Sequence, residues 1–108
     1  MHLHEASAWQ QALLGFRQSL LDAETEVNNA LIQWQTARRK LTLDAQQIAA
    51  LESAVRNSEL LMRHSSQNYL KALTVRQTLL QAELGATSDR FDEIQGVVNL
   101  YHAWGGGY

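Results

Sequence analysis

The sequence predicts an all-α fold: one long antiparallel helical hairpin, a coiled coil, lopsided and oligomerising into a helical bundle. Three observations predict it. Apolar residues recur in alternating steps of three and four over two long stretches, a polar cluster interrupts them once, and none of the 108 residues is proline. Alternating steps give a period of about 3.5 residues, which keeps one narrow seam of a helix against a partner over many turns. Without proline, no position is barred from a helix interior for want of an N–H.

The first stretch runs through Trp9, Leu13, Phe16, Leu20, Ala23, Val27, Ala30, Trp34, Ala37 and Leu41. A second step of four then leads to Ala45, and the pattern resumes through Ile48, Leu51, Val55 and Met62. Such an extra step is expected to relax the supercoil locally. Gly15 is the weak spot, costing about 1 kcal/mol relative to alanine. Glu52 with Arg56, and Glu59 with Arg63, are acid-before-base pairs that add a few tenths of a kcal/mol each on an exposed face. The predicted helix spans about residues 5–64 and is roughly 90 Å long, far beyond the usual globular helix.

The cluster His64-Ser65-Ser66-Gln67-Asn68 breaks the pattern with side chains that favour turns and caps, and a turn is expected at about 65–69. Ser66 or Asn68 is placed to cap the next helix. That helix, expected at about 70–104, carries Leu70, Leu73, Gln77, Leu80, Leu84, Thr87, Phe91, Ile94, Val98 and Tyr101 as its seam. Gln77 and Thr87 would set register rather than add stability. Gly105-Gly106-Gly107 should end it, leaving a tail at 105–108.

A short turn makes the two helices antiparallel, and facing residues have numbers that add to about 133. Tyr101 is then expected beside Ile32, Ile94 near Arg39 and Phe91 near Thr42, with Trp34 and Leu41 filling the seam. The second helix runs out opposite the twenty-ninth residue or so. Trp9, Leu13, Phe16 and Leu20 therefore have no partner within the chain, and leaving them in water forgoes about 1.5–3 kcal/mol each. These four residues are assigned to a seam between copies of the chain, or against more protein.

Composition excludes several functions. With no cysteine there is no disulfide, thiolate metal site or cysteine nucleophile. A net charge of -2 supplies no basic face for nucleic acid, and the triplet Arg38-Arg39-Lys40 reads as solvated helix surface. No segment approaches the roughly 18 to 20 consecutive apolar residues of a membrane span, and Met1-His2-Leu3-His4-Glu5 lacks the features of a secretory signal. No direct membrane insertion is expected of the chain as given.

No catalytic or metal site is expected, no cofactor is implied, and the chain does not read as an enzyme. His2 and His4 sit near a terminus without further ligands. His64 beside Ser65 and Ser66 has no orienting acid close in sequence. His102 suits the negative end of a helix dipole. Asp89, Asp92 and Glu93, with Arg90 among them, read as a solvated acidic stripe, because the Glu-x-x-His pair of di-metal bundles occurs nowhere. The glycine triplet follows a helix instead of leading into one, so it is no phosphate loop. Trp9 and Trp34 fall on the seam spacing, which favours core or interface over a stacking platform.

Two stretches carry a family resemblance. The ending, from Asp92 to Tyr108, contains Leu100-Tyr101-His102-Ala103-Trp104-Gly105-Gly106-Gly107-Tyr108, and resembles the closing L-Y-x-A-L-G-G-G-W of TolC-like outer-membrane efflux proteins. Tyr69-Leu70-Lys71-Ala72-Leu73-Thr74-Val75-Arg76-Gln77 is similar to their Y-L-E-V-L-D-A-Q. The likeness is to the lipoprotein subunits of resistance-nodulation-division pumps and covers the chain from about Ala12 onward.

The resemblance implies the second periplasmic tunnel hairpin of a protomer in a homotrimeric duct, whose partners are a periplasmic adaptor and an inner-membrane pump. The parent protein would lie in the outer membrane with this segment in the periplasm. Ser65, Ser66, Gln67, Asn68, Tyr69 and Leu70 would form the tip that meets the adaptor. Lys71 and Thr74 would stand at the pore constriction, where the family carries acids. Three lysines there would repel the cations that a ring of acids attracts. Met62 and Ser65 stand where the family often has tyrosine and glycine. With strands and a first hairpin lacking, the chain reads as a fragment, engineered or truncated, that conducts nothing alone. The alternative is a stand-alone coiled-coil module for protein interaction.

Overall fold

Two long helices account for nearly all of the molecule: α1 (His2–Leu61) and α2 (Ser66–Tyr101), followed by a wider π-type turn at His102–Gly106. The structure, a computed structural model, describes residues 2–62 and 66–106. No strand occurs among the described residues. The helices lie antiparallel in a rod of 93 × 20 × 19 Å, the long axis matching a 60-residue helix at about 1.5 Å per residue.

The expected register holds. Asp44 meets Asp89, Asn99 donates from Nδ2 to Gln33 Oε1 at 2.9 Å, Arg76 pairs with Glu59, and Gly96 lies against Trp34. The numbers in each pair add to within a helical turn of 133. Glu59 therefore finds its cation across the hairpin, while its expected partner Arg63 lies outside the described residues.

The α2 seam differs from the expected one. Leu70, Leu73, Gln77, Leu80, Leu84, Thr87, Phe91, Ile94, Val98 and Tyr101 are all exposed. The face turned to α1 instead carries Asn68, Ala72, Val75, Leu79, Ala82, Ala86, Asp89, Glu93, Gly96, Leu100 and Ala103, buried or half-buried at the same alternating spacing. The facing pairs Tyr101–Ile32, Ile94–Arg39 and Phe91–Thr42 are accordingly not formed, for Ile32, Ile94, Phe91 and Tyr101 all stand in solvent. The physical reason is size. Alanine and glycine let two backbones approach closely, whereas leucine and phenylalanine need a wider surround than one partner helix gives. A β-carbon built on Gly96 would stand 3.0 Å from Trp34 Cα and N, so the helices touch backbone to backbone there.

On α1 the expected seam is right from Val27 to Leu41, with Ala30 and Ala37 buried and Trp34 half-buried. Beyond Leu41, the inward position belongs to half-buried Asp44, while Ala45 is exposed. The three-four alternation then continues through Ile48, Leu51 and Val55, and Met62 is exposed. The expected register adjustment at Ala45 is absent, because an aspartate occupies the place an apolar-only count had skipped. N-terminal to Val27, α1 overhangs. Trp9 is 78% exposed, and Leu13, Phe16 and Leu20 are exposed with it.

The ends follow local chemistry. α2 starts at Ser66, so Ser66, Gln67, Asn68 and Tyr69 form its first turn rather than a loop. The Asn68 side chain reaches back and donates from Nδ2 to the Leu61 carbonyl oxygen at 2.9 Å. It thus satisfies a carbonyl at the end of α1. At the other end Gly105 has φ 98°, a left-handed conformation that glycine adopts without steric cost and that stops the helix.

Candidate assembly and docking surfaces

The hairpin presents two kinds of surface. The inner face is small and partly polar. At the end distant from the tip, Gln95 Nε2 donates to Asn99 Oδ1 at 3.0 Å, and Asn99 donates in turn to Gln33. This chain of amides edges an open groove that Glu26, Asn29 and His102 also line. His102 stacks edge-on against Tyr101, with ring centroids 6.2 Å apart.

The outer faces are large and apolar. On α2, Leu73, Leu80, Leu84, Phe91, Ile94, Val98 and Tyr101 fall on one exposed face, interrupted by Gln77 and Thr87, with Leu84 and Phe91 more than 60% exposed. The overhang of α1 adds Trp9, Leu13, Phe16 and Leu20, the residues expected to form a seam between chains. Trp104, itself exposed, rims a shallow apolar patch with Ala23 and Val27 of α1.

At the tip, Ser65 lies outside the described residues, as does His64. Ser66 and Gln67 are exposed, Asn68 is half-buried on its bond to Leu61, and Tyr69 and Leu70 are exposed. Leu60, Leu61 and Met62 stand exposed beside them, giving the tip an apolar character that sequence spacing had not indicated. Lys71 and Thr74 share one exposed face of α2, three residues apart, and the Thr74 hydroxyl donates to the Leu70 carbonyl oxygen at 3.0 Å. That bond turns the hydroxyl toward its own helix. One turn further on, Arg76 spans to Glu59; its side chain is over half exposed, so the pair adds little stability.

The basic triplet is exposed, with the Arg38 guanidinium 5.0 Å from the centroid of the Trp34 ring. The acidic stripe is not solvated as expected: Asp89, Asp92 and Glu93 are half-buried, and Asp89 faces α1. Its hydrogen bond to Asp44, with burial second, raises the Asp44 carboxyl above the ordinary aspartate range. No group of three or more histidine, aspartate or glutamate side chains among the described residues could hold a metal ion. No helix among them is long and apolar enough to cross a membrane.

This geometry defines an elongated two-helix hairpin with a narrow tip and exposed apolar residues on its outer faces. The chain is similar to the cation efflux system protein CusC of Escherichia coli O157:H7, at 23% identity over 99 residues. The match takes in 92% of this chain, which spans about a fifth (22%) of the length of that protein. No protein-family model matches the chain, and no solved structure does.

Proposed function

We propose that this chain is a tunnel-wall hairpin of an outer-membrane efflux duct, a structural and docking element rather than an enzyme. The observation that carries the proposal is the division of its surfaces. A thin inner seam closes the hairpin, and stripes of large apolar residues on both helices face outward, where a two-helix rod has nothing to cover them. A duct wall needs this arrangement, since each helix must pack on neighbours at both sides. Similarity to a cation efflux protein along almost the whole chain supports the same reading, as do the closing and tip motifs. By the same resemblance three copies assemble with their hairpins side by side in the periplasm. A periplasmic adaptor then meets the tip at Ser65–Leu70, delivering substrate from an inner-membrane pump, with Lys71 and Thr74 at the constriction.

Because the chain has no cysteine, single-cysteine variants test the assembly directly. Leu84→Cys and Phe16→Cys should react with a maleimide more slowly as protein concentration rises into the assembly range, while exposed Gln67→Cys at the tip should not. A rate independent of concentration at both stripe positions would contradict lateral packing through the outer stripes. For the tip, a labelled chain should bind the adaptor of its own pump, and Lys71→Asp should alter that binding. If neither chain bound, the docking role would be lost while the packing role stood. A stand-alone interaction module is the competing reading, and adaptor binding separates the two.

A further inference from the structure

The face of α1 that α2 covers does not stop where α2 does. Beyond Ala30 and Val27 it continues along the overhang through Ala23, Leu20, Phe16, Leu13, Trp9 and Ala6, at the same alternating spacing. From Ala23 to Ala6 it is exposed throughout, with Trp9 at 78% and Phe16 at 64%. An interface already built inside the hairpin thus runs on over the overhang, uncovered by its own chain.

Read antiparallel, the overhang is complementary to itself. With facing residue numbers adding to 29, Trp9 meets the partner's Leu20, Leu13 the partner's Phe16, and Ala6 the partner's Ala23. A two-fold axis between Leu13 and Phe16 repeats each pair. The neighbouring registers, one heptad away, fit less well. A sum of 22 sets Leu20 level with the partner's second residue, beyond its apolar seam. A sum of 36 drives the partner's residues 2–8 alongside 28–34, where Gly96 of α2 already lies against the Trp34 backbone. The register of 29 starts the partner's helix opposite Val27, where α2 runs out. It also brings the partner's Leu3, 88% exposed, within a turn of Glu24, on the flank where Trp104, Ala23 and Val27 rim an apolar groove. Exposed aromatics of this kind each offer on the order of 100–200 Å². With the two leucines, and counted on both copies, the seam covers roughly 1,000 Å², the size at which specific interfaces begin.

We propose that the chain dimerises end to end through this overhang, two copies lying antiparallel over residues 2–27 with their tips pointing opposite ways. The flanks oppose it only weakly. Glu5 comes within a turn of the partner's Glu26, both exposed, and salt screens that repulsion. The dimer does not rest on the efflux reading, since it uses the inward face of α1; adaptor binding at the tip can fail while the dimer stands.

Ala6→Cys and Ala23→Cys test the register without altering a large side chain, in a chain that has no cysteine of its own. Mixed in equal amounts under mild oxidation, with one variant mass-tagged, they should give at least about tenfold more mixed disulfide than either same-variant dimer. In this register each variant is about 17 residues out of step with itself, roughly 25 Å, far beyond disulfide reach. A parallel bundle sets like residues together and gives the reverse. Same-variant dimers in excess, the proportions of random pairing, or no linking would each overturn the proposal. Sedimentation velocity on the unaltered chain should show a dimer whose share grows with added salt. A chain that stays monomeric up to about 1 mM sinks the idea whatever the variants do.

Discussion

Gly96 offers the sharpest test of how the hairpin closes. Alanine there would place its β-carbon 3.0 Å from Trp34 Cα and N and 3.1 Å from Trp34 Cβ. Two of those neighbours are backbone atoms, which cannot rotate away, so the helices must part by a few tenths of an ångström. Overpacking of that kind costs about 1–3 kcal/mol. Against it stands the gain in helix propensity from replacing glycine, about 1 kcal/mol. Gly85 isolates that gain, because a β-carbon built there meets nothing within 4 Å. Gly85→Ala should therefore stabilise by about 1 kcal/mol. Gly96→Ala should fall below it by the overpacking term, leaving it neutral to about 2 kcal/mol destabilised. Urea unfolding followed by helical circular dichroism, at matched protein concentration, reads the difference. If Gly96→Ala stabilised as much as Gly85→Ala, the backbone contact between Gly96 and Trp34 would be refuted.

Three further outcomes follow from the same contacts. Asn68→Ala should release the Leu61 carbonyl and weaken the tip by about 1 kcal/mol, seen as faster amide exchange at residues 58–62 while the far end is unchanged. Arg76→Ala should cost under about 1 kcal/mol, and the loss should shrink with added salt, since the Arg76 side chain is over half exposed. Trp9→Ser with Phe16→Ser should leave the hairpin closed, because neither residue touches α2, but should shift the chain toward monomer in sedimentation velocity.

The helices and their register were legible in the sequence because they rest on backbone rules. Unbroken helix formers without proline give long helices, and a single polar cluster gives one turn. Which face of α2 packs inward was not legible. A count of large apolar residues selects Leu73, Leu80, Leu84 and Phe91, yet the closer approach is made by Ala72, Ala82, Ala86 and Gly96. The signal existed: those small residues follow the same alternation, offset by a position or two. Asp89 and Glu93 fall in that inner set, so an acidic stripe expected in water lies half-buried. The Leu60–Met62 surface at the tip has no periodic signature, because it arises from where α1 stops.

The offset between small and large seams also says where the stability of the molecule resides. Among the described residues, the apolar side chains buried within one hairpin are short (Ala30, Ala37, Ala72 and Val55), and alanines remove little apolar area from water. The larger contribution waits on the outer stripes, where covering each leucine or phenylalanine contributes about 1.5–3 kcal/mol. Folding and assembly should therefore be linked by mass action. For three chains assembling, a tenfold rise in concentration adds roughly 0.9 kcal/mol per chain. In a domain of this size that raises the melting midpoint by about 4 °C or more. Circular dichroism melts over a hundredfold concentration range measure it. A hairpin that melted at one temperature throughout, while sedimenting as a monomer, would mean that the thin inner seam suffices and that the outer stripes do not drive association.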